Sequence, residues 1–141
     1  MEQTCINTQT QIAARFTEDI WDKGKLEVVD LIFSQNFIDH DPVDGQMPGL
    51  NGYKQMVTTF LNAFPDLRVK NEDIIEGRHK VVVRWTAHGT HDGQLMNIPP
   101  TGQKVFLKGI DVLKIKDGKI EERWGEFDAL SMLRQLGIIQ G

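Results

Sequence analysis

The 141-residue chain predicts an α+β fold, and three observations carry that prediction. Apolar residues recur at helical spacing up to Phe64, and after Pro65 the period changes to two. Asp117-Gly118 then sits between two alternating stretches, which is the strongest short-range signal for a hairpin. Helices gathered first and antiparallel strands afterwards put the helices on one face of a sheet.

The first helix is expected over residues 7–21, where Ile12, Ala13, Phe16, Ile20 and Trp21 recur at helical spacing and Asp22-Lys23-Gly24 ends the run. A short second helix follows through Val28, Val29, Leu31, Ile32 and Phe33. NFIDHDP, residues 36–42, predicts a brief strand closed by Pro42, before a loop of turn formers. A third helix runs from about Asn51 to Phe64 on Tyr53, Met56, Val57, Phe60 and Leu61; Pro65 cannot continue its ladder. Residues 67–76, 79–91, 103–116 and 119–128 then predict four strands. A last short helix holds Leu130, Leu133 and Leu136 and ends at Gly137, a natural C-cap.

A two-residue turn at Asp117-Gly118 sets Lys116 opposite Lys119, and regular pairing follows from there. One face then carries Ile115–Ile120, Leu113–Glu122, Asp111–Trp124, Gly109–Glu126 and Leu107–Asp128. The other carries Lys114–Glu121, Val112–Arg123, Ile110–Gly125 and Lys108–Phe127, cationic stems over apolar groups that suit solvent or a second sheet. The first face belongs under the helices, yet it mixes Ile, Leu and Trp with the acids Asp111, Glu126 and Asp128. Burial without a partner costs roughly 2–7 kcal/mol even for a neutral polar group. A cavity reached by water and substrate accounts for these acids.

Composition narrows the function further. The chain is 40% hydrophobic and 26% charged, the proportions of an ordinary single domain, taken here as residues 1–141. A net charge of −4 with no long basic run argues against nucleic acid or an anionic membrane as partner. The polar start has no apolar signal region, no stretch approaches a membrane span, and the lone Cys5 forms no internal disulfide; a cytoplasmic protein is expected.

The VVVRWTAHGTH stretch holds further candidates. Arg84, Thr86 and His88 share one strand face, Val81, Val83, Trp85 and Ala87 the other, and either can line the cavity. The polar face would offer donors to a substrate carbonyl or carboxylate. His91 has the opposite parity from His88, and no third ligand is suitably spaced, so no metal site is expected. A bulge near the following turn would redirect His91 inward, and His40 stands between Asp39 and Asp41 at a strand end. His40, Arg84, His88, His91, Trp124 and Glu126 are the substrate-binding candidates; the plainer role for each histidine is an exposed or locally hydrogen-bonded side chain.

GTHDGQLMNIPPTGQKV, then DGKI, then Trp124 followed by Phe127-Asp128, then LRQLG, together resemble the SnoaL-like polyketide cyclases, also called predicted ester cyclases. The resemblance spans nearly the whole chain. It implies the conical α+β barrel shared with ketosteroid isomerase and nuclear transport factor, with three N-terminal helices on a curved, mostly antiparallel sheet. It also implies homodimers and ring closure of a hydrophobic polyketide by intramolecular aldol condensation, with no cofactor. The family's general acid/base is an aspartate just before the C-terminal helix, the position of Asp128; a second pocket position, often histidine, matches Asp111. A carboxylate serves both proton transfers of an aldol closure when an apolar pocket raises its pKa towards neutrality. Asp128 also stands where an N-cap is favoured. Two other functions fit the same fold: a small-molecule-binding protein without catalysis, and an epoxide-hydrolase-like enzyme using an Asp–Arg–Asp set drawn from Arg84, Asp111 and Asp128.

Overall fold

The computed structural model describes residues 8–140, so Cys5 lies outside the described residues. Helix α1 (Gln9–Arg15) opens with a capping box, in which the Thr8 hydroxyl accepts from Gln11 N–H and the Gln11 side chain accepts from Thr8 N–H. It passes directly into a π-helical segment, Phe16–Asp22. There follow α2 (Glu27–Ile32), β1 (Phe33–Asp39), α3 (Gly49–Ala63), β2 (Arg68–Glu76), β3 (Lys80–Thr90), β4 (Lys104–Lys116), β5 (Lys119–Phe127) and α4 (Ala129–Gln135). The single expected first helix thus has two geometries. Wider π spacing, with its i→i+5 bonds, brings both Phe16 and Trp21 to one cavity wall.

The five strands form a curved, unclosed sheet in the order β1-β5-β4-β3-β2, with β1 parallel to β5 and the other pairs antiparallel. Its concave face meets the helices in a core rich in rings. Phe33 packs on Phe37 at 4.8 Å and on Tyr53 at 5.2 Å between ring centroids, all three fully buried. No helix among the described residues is long and apolar enough to cross a membrane.

The hairpin keeps its expected start and then departs from it. Lys116 faces Lys119 and Ile115 faces Ile120, with Asp117 at φ 52° and Gly118 at φ 75° in the left-handed conformation such a turn requires. The next pair is Lys114 with Glu122, so Glu121 is an extra residue, a β-bulge. Because side chains alternate, one extra residue exchanges the two faces of β5 beyond it. Val112 faces Trp124, Asp111 faces Gly125, Ile110 faces Glu126 and Gly109 faces Phe127. The expected Asp111–Trp124 pair is therefore corrected. Arg123, Gly125 and Phe127 take the inward parity, and Trp124 and Glu126 turn outward. The physical reason lies in charge: regular pairing would bury several acids without a cation, whereas the bulge delivers Arg123 to them.

Candidate active site

Four elements meet around a cavity of about 270 Å³: the π-helical segment, α3, the loop after β1, and the concave side of β3, β4 and β5. That is just below the usual range for small-molecule sites, about 300–1,000 Å³. Met56, Phe60, Phe64, Leu107 and Phe127 make its walls apolar, while Asp41, Tyr53, Asp111 and Arg123 gather at a polar end.

Asp111 is 3% exposed and accepts a hydrogen bond on each oxygen. Arg123 Nε donates to Oδ1 at 2.7 Å and Trp85 Nε1 to Oδ2 at 2.8 Å. Arg123 reaches beyond it: Nη1 donates to Asp39 Oδ1 at 2.8 Å and to the Asp41 carbonyl at 3.3 Å. Gly125 N–H donates to Asp41 Oδ2 at 2.9 Å, and Gln46 Nε2 to Asp39 Oδ2 at 2.9 Å, so the loop after β1 is tied to β5 at the cavity edge. Any side chain at position 125 would have to displace the Asp111–Arg123 ion pair. A Cβ there would lie 2.2 Å from Asp111 Oδ1 and 2.4 Å from Arg123 Nη2.

Burial pushes the Asp111 carboxyl above its ordinary range; Arg123 and the Trp85 indole oppose that push, and nearby Asp39 adds to it. Burial also works against the Arg123 cation, but Asp111, Tyr53 and Asp39 outweigh it and hold the guanidinium protonated, above its ordinary value. Burial drives the Tyr53 phenol well above its usual value, so it stays neutral. Such a site can hold a proton acceptor, a fixed cation and a neutral hydroxyl beside an apolar ligand.

The other expected site residues part company. The apolar face of β3 lines the cavity, through Trp85 and Ala87, while Arg84 and His88 are exposed on the opposite face, Arg84 paired with Asp73 at 2.7 Å. Trp124, on the outward face, stacks on His40 at 4.6 Å and 9°, with Lys80 Nζ 4.5 Å from its ring centroid. His40 Nε2 pairs with Glu122 Oε1 at 2.6 Å, so His40 and Trp124 form a cluster outside the cavity. Glu126 is exposed with the outward parity, bordering the cavity. His91 is fully buried behind Phe64, its Nδ1 near the Thr101 hydroxyl (3.0 Å) and accepting from Thr101 N–H (3.2 Å), and it anchors the 91–103 segment.

Asp128 was expected to share the inward face with Asp111. It lies past the end of β5 instead, exposed, and caps α4 by accepting from Ser131 N–H at 2.9 Å. Asp128→Ala is therefore expected to cost about 0.5–2 kcal/mol and Asp128→Asn almost nothing, since asparagine caps as well as aspartate. Thermal melts of the two variants check this, and equal losses would contradict it.

Arg123, Asp39, Asp41 and Tyr53 escaped the sequence reasoning. Two signals pointed to Arg123. Several acids on a face with no cation call for one, and Arg123 is the sole basic residue between Lys119 and Arg134. A glycine inside a strand, Gly125, marks a close approach.

Comparison with known proteins gives a consistent picture. A family model described as SnoaL-like polyketide cyclase matches residues 11–136. The chain is 26% identical over 138 residues to an aklanonic acid methyl ester cyclase, DnrD, from Streptomyces peucetius, covering 94% of this chain and 92% of that one. A Bacillus cereus protein described as a polyketide cyclase superposes with a TM-score of 0.80 at 33% identity, over 92% of this chain and 80% of that one. TsrD from Streptomyces laurentii superposes with a TM-score of 0.82 at 25% identity, over 92% and 94%.

Proposed function

Because the chain belongs to the SnoaL-like polyketide cyclase family, we propose that it closes a ring in a hydrophobic carbonyl substrate by cofactor-free general acid/base catalysis, with Asp111 as the acid/base. One observation carries this reading: a buried carboxylate, held by Arg123 and Trp85, at the polar end of an otherwise apolar cavity. Asp111 removes a proton from a carbon acidified by neighbouring carbonyls. The carbon's electron pair attacks a second carbonyl of the same molecule, and the resulting alkoxide takes the proton back. Arg123 stays charged throughout and keeps the carboxylate aimed. The carboxylates of Asp39 and Asp111 both pair with the one guanidinium, and that of Asp41 lies beside them on Gly125 N–H, so the cavity disfavours an anionic substrate. An uncharged ester fits it better, in keeping with the methyl ester in the DnrD name. The test is turnover of Asp111→Asn beside Asp128→Asn. Loss of activity only in the second variant would return the role to Asp128.

A second reading has its own observation. Arg123 bridges Asp111 and Asp39, an Asp–Arg–Asp set with different members from those expected and the arrangement that would activate water against an epoxide. Diol formation from a hydrophobic epoxide favours this reading, and ring closure without it favours the first.

We also propose that the protein is a homodimer. On the outward sheet face Ile110 and Phe106 are 47% and 55% exposed, beside Val112 and Trp124. Phe127 and Arg123, expected on that face, point inward, and Trp124 replaces them. Light scattering that gives about 16 kDa, the mass of one chain (16.1 kDa), would refute the dimer.

A further inference from the structure

Tyr53 sits on α3, 1% exposed, and lines the same cavity as Asp111 and Arg123. Its hydroxyl oxygen accepts from Trp21 Nε1 at 3.2 Å, but its own hydrogen meets no acceptor among the described residues. Buried hydroxyl hydrogens are rarely left unspent. The neighbours give it no outlet: the Trp21 indole and the Arg123 guanidinium, whose carbon lies 5.9 Å from the Tyr53 ring centroid, only donate. No hydrogen bond joins the Tyr53 hydroxyl to Asp111, whose oxygens accept from Arg123 and Trp85 and each keep a further lone pair. The cavity is the direction left. Its polar end therefore offers an acceptor on β4 and an unspent donor on α3 to one occupant.

We propose that the Tyr53 hydroxyl binds the carbonyl oxygen of the substrate whose adjacent carbon Asp111 deprotonates, which makes that substrate a ketone or ester with an α C–H bond. This rests on the acid/base reading of Asp111 and extends it. In the step, the α C–H bond breaks and its proton passes to an Asp111 oxygen. The electron pair forms the C=C bond of an enolate, and the carbonyl π pair moves onto oxygen. Tyr53 keeps its proton and holds that oxygen by a hydrogen bond. Donation from Trp21 polarises the hydroxyl and strengthens its own donation. An epoxide or a plain hydrocarbon offers nothing that uses this pairing of base and donor.

The experiment is infrared difference spectroscopy of a methyl naphthyl ketone with an isotope-labelled carbonyl, bound to the full chain. In the wild-type protein the carbonyl band is expected below its position in hexane, at mildly acidic and mildly alkaline pH alike. In Tyr53→Phe the band should move back towards the hexane position, and the ketone should bind about threefold to tenfold more weakly, the worth of one hydrogen bond. A shift supplied by protonated Asp111 would instead vanish at alkaline pH and survive Tyr53→Phe, overturning the proposal. Absence of a shift, or of ketone binding, in the wild-type protein overturns it too. Where Tyr53→Phe does not fold, Trp21→Phe keeps the hydroxyl but withdraws its polarising partner, and an unchanged band there refutes the assignment. The two readings fail separately: a shift that persists in a protein without cyclase turnover removes the acid/base role and leaves the carbonyl site standing.

Discussion

Arg123→Met is expected to destabilise the fold by about 3–5 kcal/mol at neutral pH, the usual result of removing one partner from a buried ion pair. Methionine fills much of the arginine stem's volume, so the loss comes from charge rather than from an empty space. Without the guanidinium, Asp111 and Asp39, whose side chains are 5% and 3% exposed, lose the cation that offsets their burial. The pH dependence identifies the cause. Asp111 already has its folded pKa raised above the ordinary 3.8, and loss of Arg123 raises it further. A group with a raised folded pKa contributes stability that is present below its unfolded value and lost as pH rises through the folded value. The variant should therefore stand nearest the wild type in acid and furthest from it at neutral pH. Urea unfolding at both pH values measures this, and a deficit independent of pH would mean that packing, not charge, is what Arg123 supplies. Adding Asp111→Asn to Arg123→Met should recover part of the loss.

Asp111→Asn is expected to lower turnover about 10²–10⁴-fold, the usual share of general acid–base catalysis. The amide keeps the shape and accepts from Arg123 or Trp85 but carries no titratable proton. Stability should hold or rise, because the direction of the Asp111 shift says that burial costs the charged form more than its partners return. Arg123 still has Asp39 to neutralise it. If Asp111 is the base it must be ionised to act, so wild-type turnover should climb as pH rises through the raised Asp111 pKa; this acid limb should be missing from whatever activity the variant retains. Single-turnover rates against pH, beside melting temperatures, give both readouts. Full activity in a folded Asp111→Asn protein would leave ring closure without its base.

Much of the fold could be read from the chain because periodicity reports burial directly. The spacing of Tyr53, Met56, Val57 and Phe60 marks the buried face of α3, and all four are buried. Asp117-Gly118 gave the turn and its first two pairs for the same local reason. The site was less legible, since its geometry depends on two departures from regular spacing that composition does not announce. Glu121 looks like any strand residue, yet as a bulge it decides whether Arg123 or Trp124 meets Asp111. The π-helical turn likewise puts Trp21 where an α-helical count would stress Ile20. Asp39 and Asp41 were invisible for a different reason. They lie 84 and 82 residues from the Arg123 that binds them, and parallel pairing of β1 with β5 is a tertiary choice.

The bulge at Glu121 also bears on how such a pocket changes over evolutionary time. Substitutions alter one lining group at a time. Gain or loss of a single codon ahead of residue 122 exchanges a whole set at once, turning Arg123, Gly125 and Phe127 out and Trp124 and Glu126 in. Such an event replaces the guanidinium that holds Asp111 with an indole and a second carboxylate while the strand, the turn and the outline of the fold persist. In a cone of this kind, short length changes in the last strand are a route to new chemistry that a survey of point substitutions would never visit.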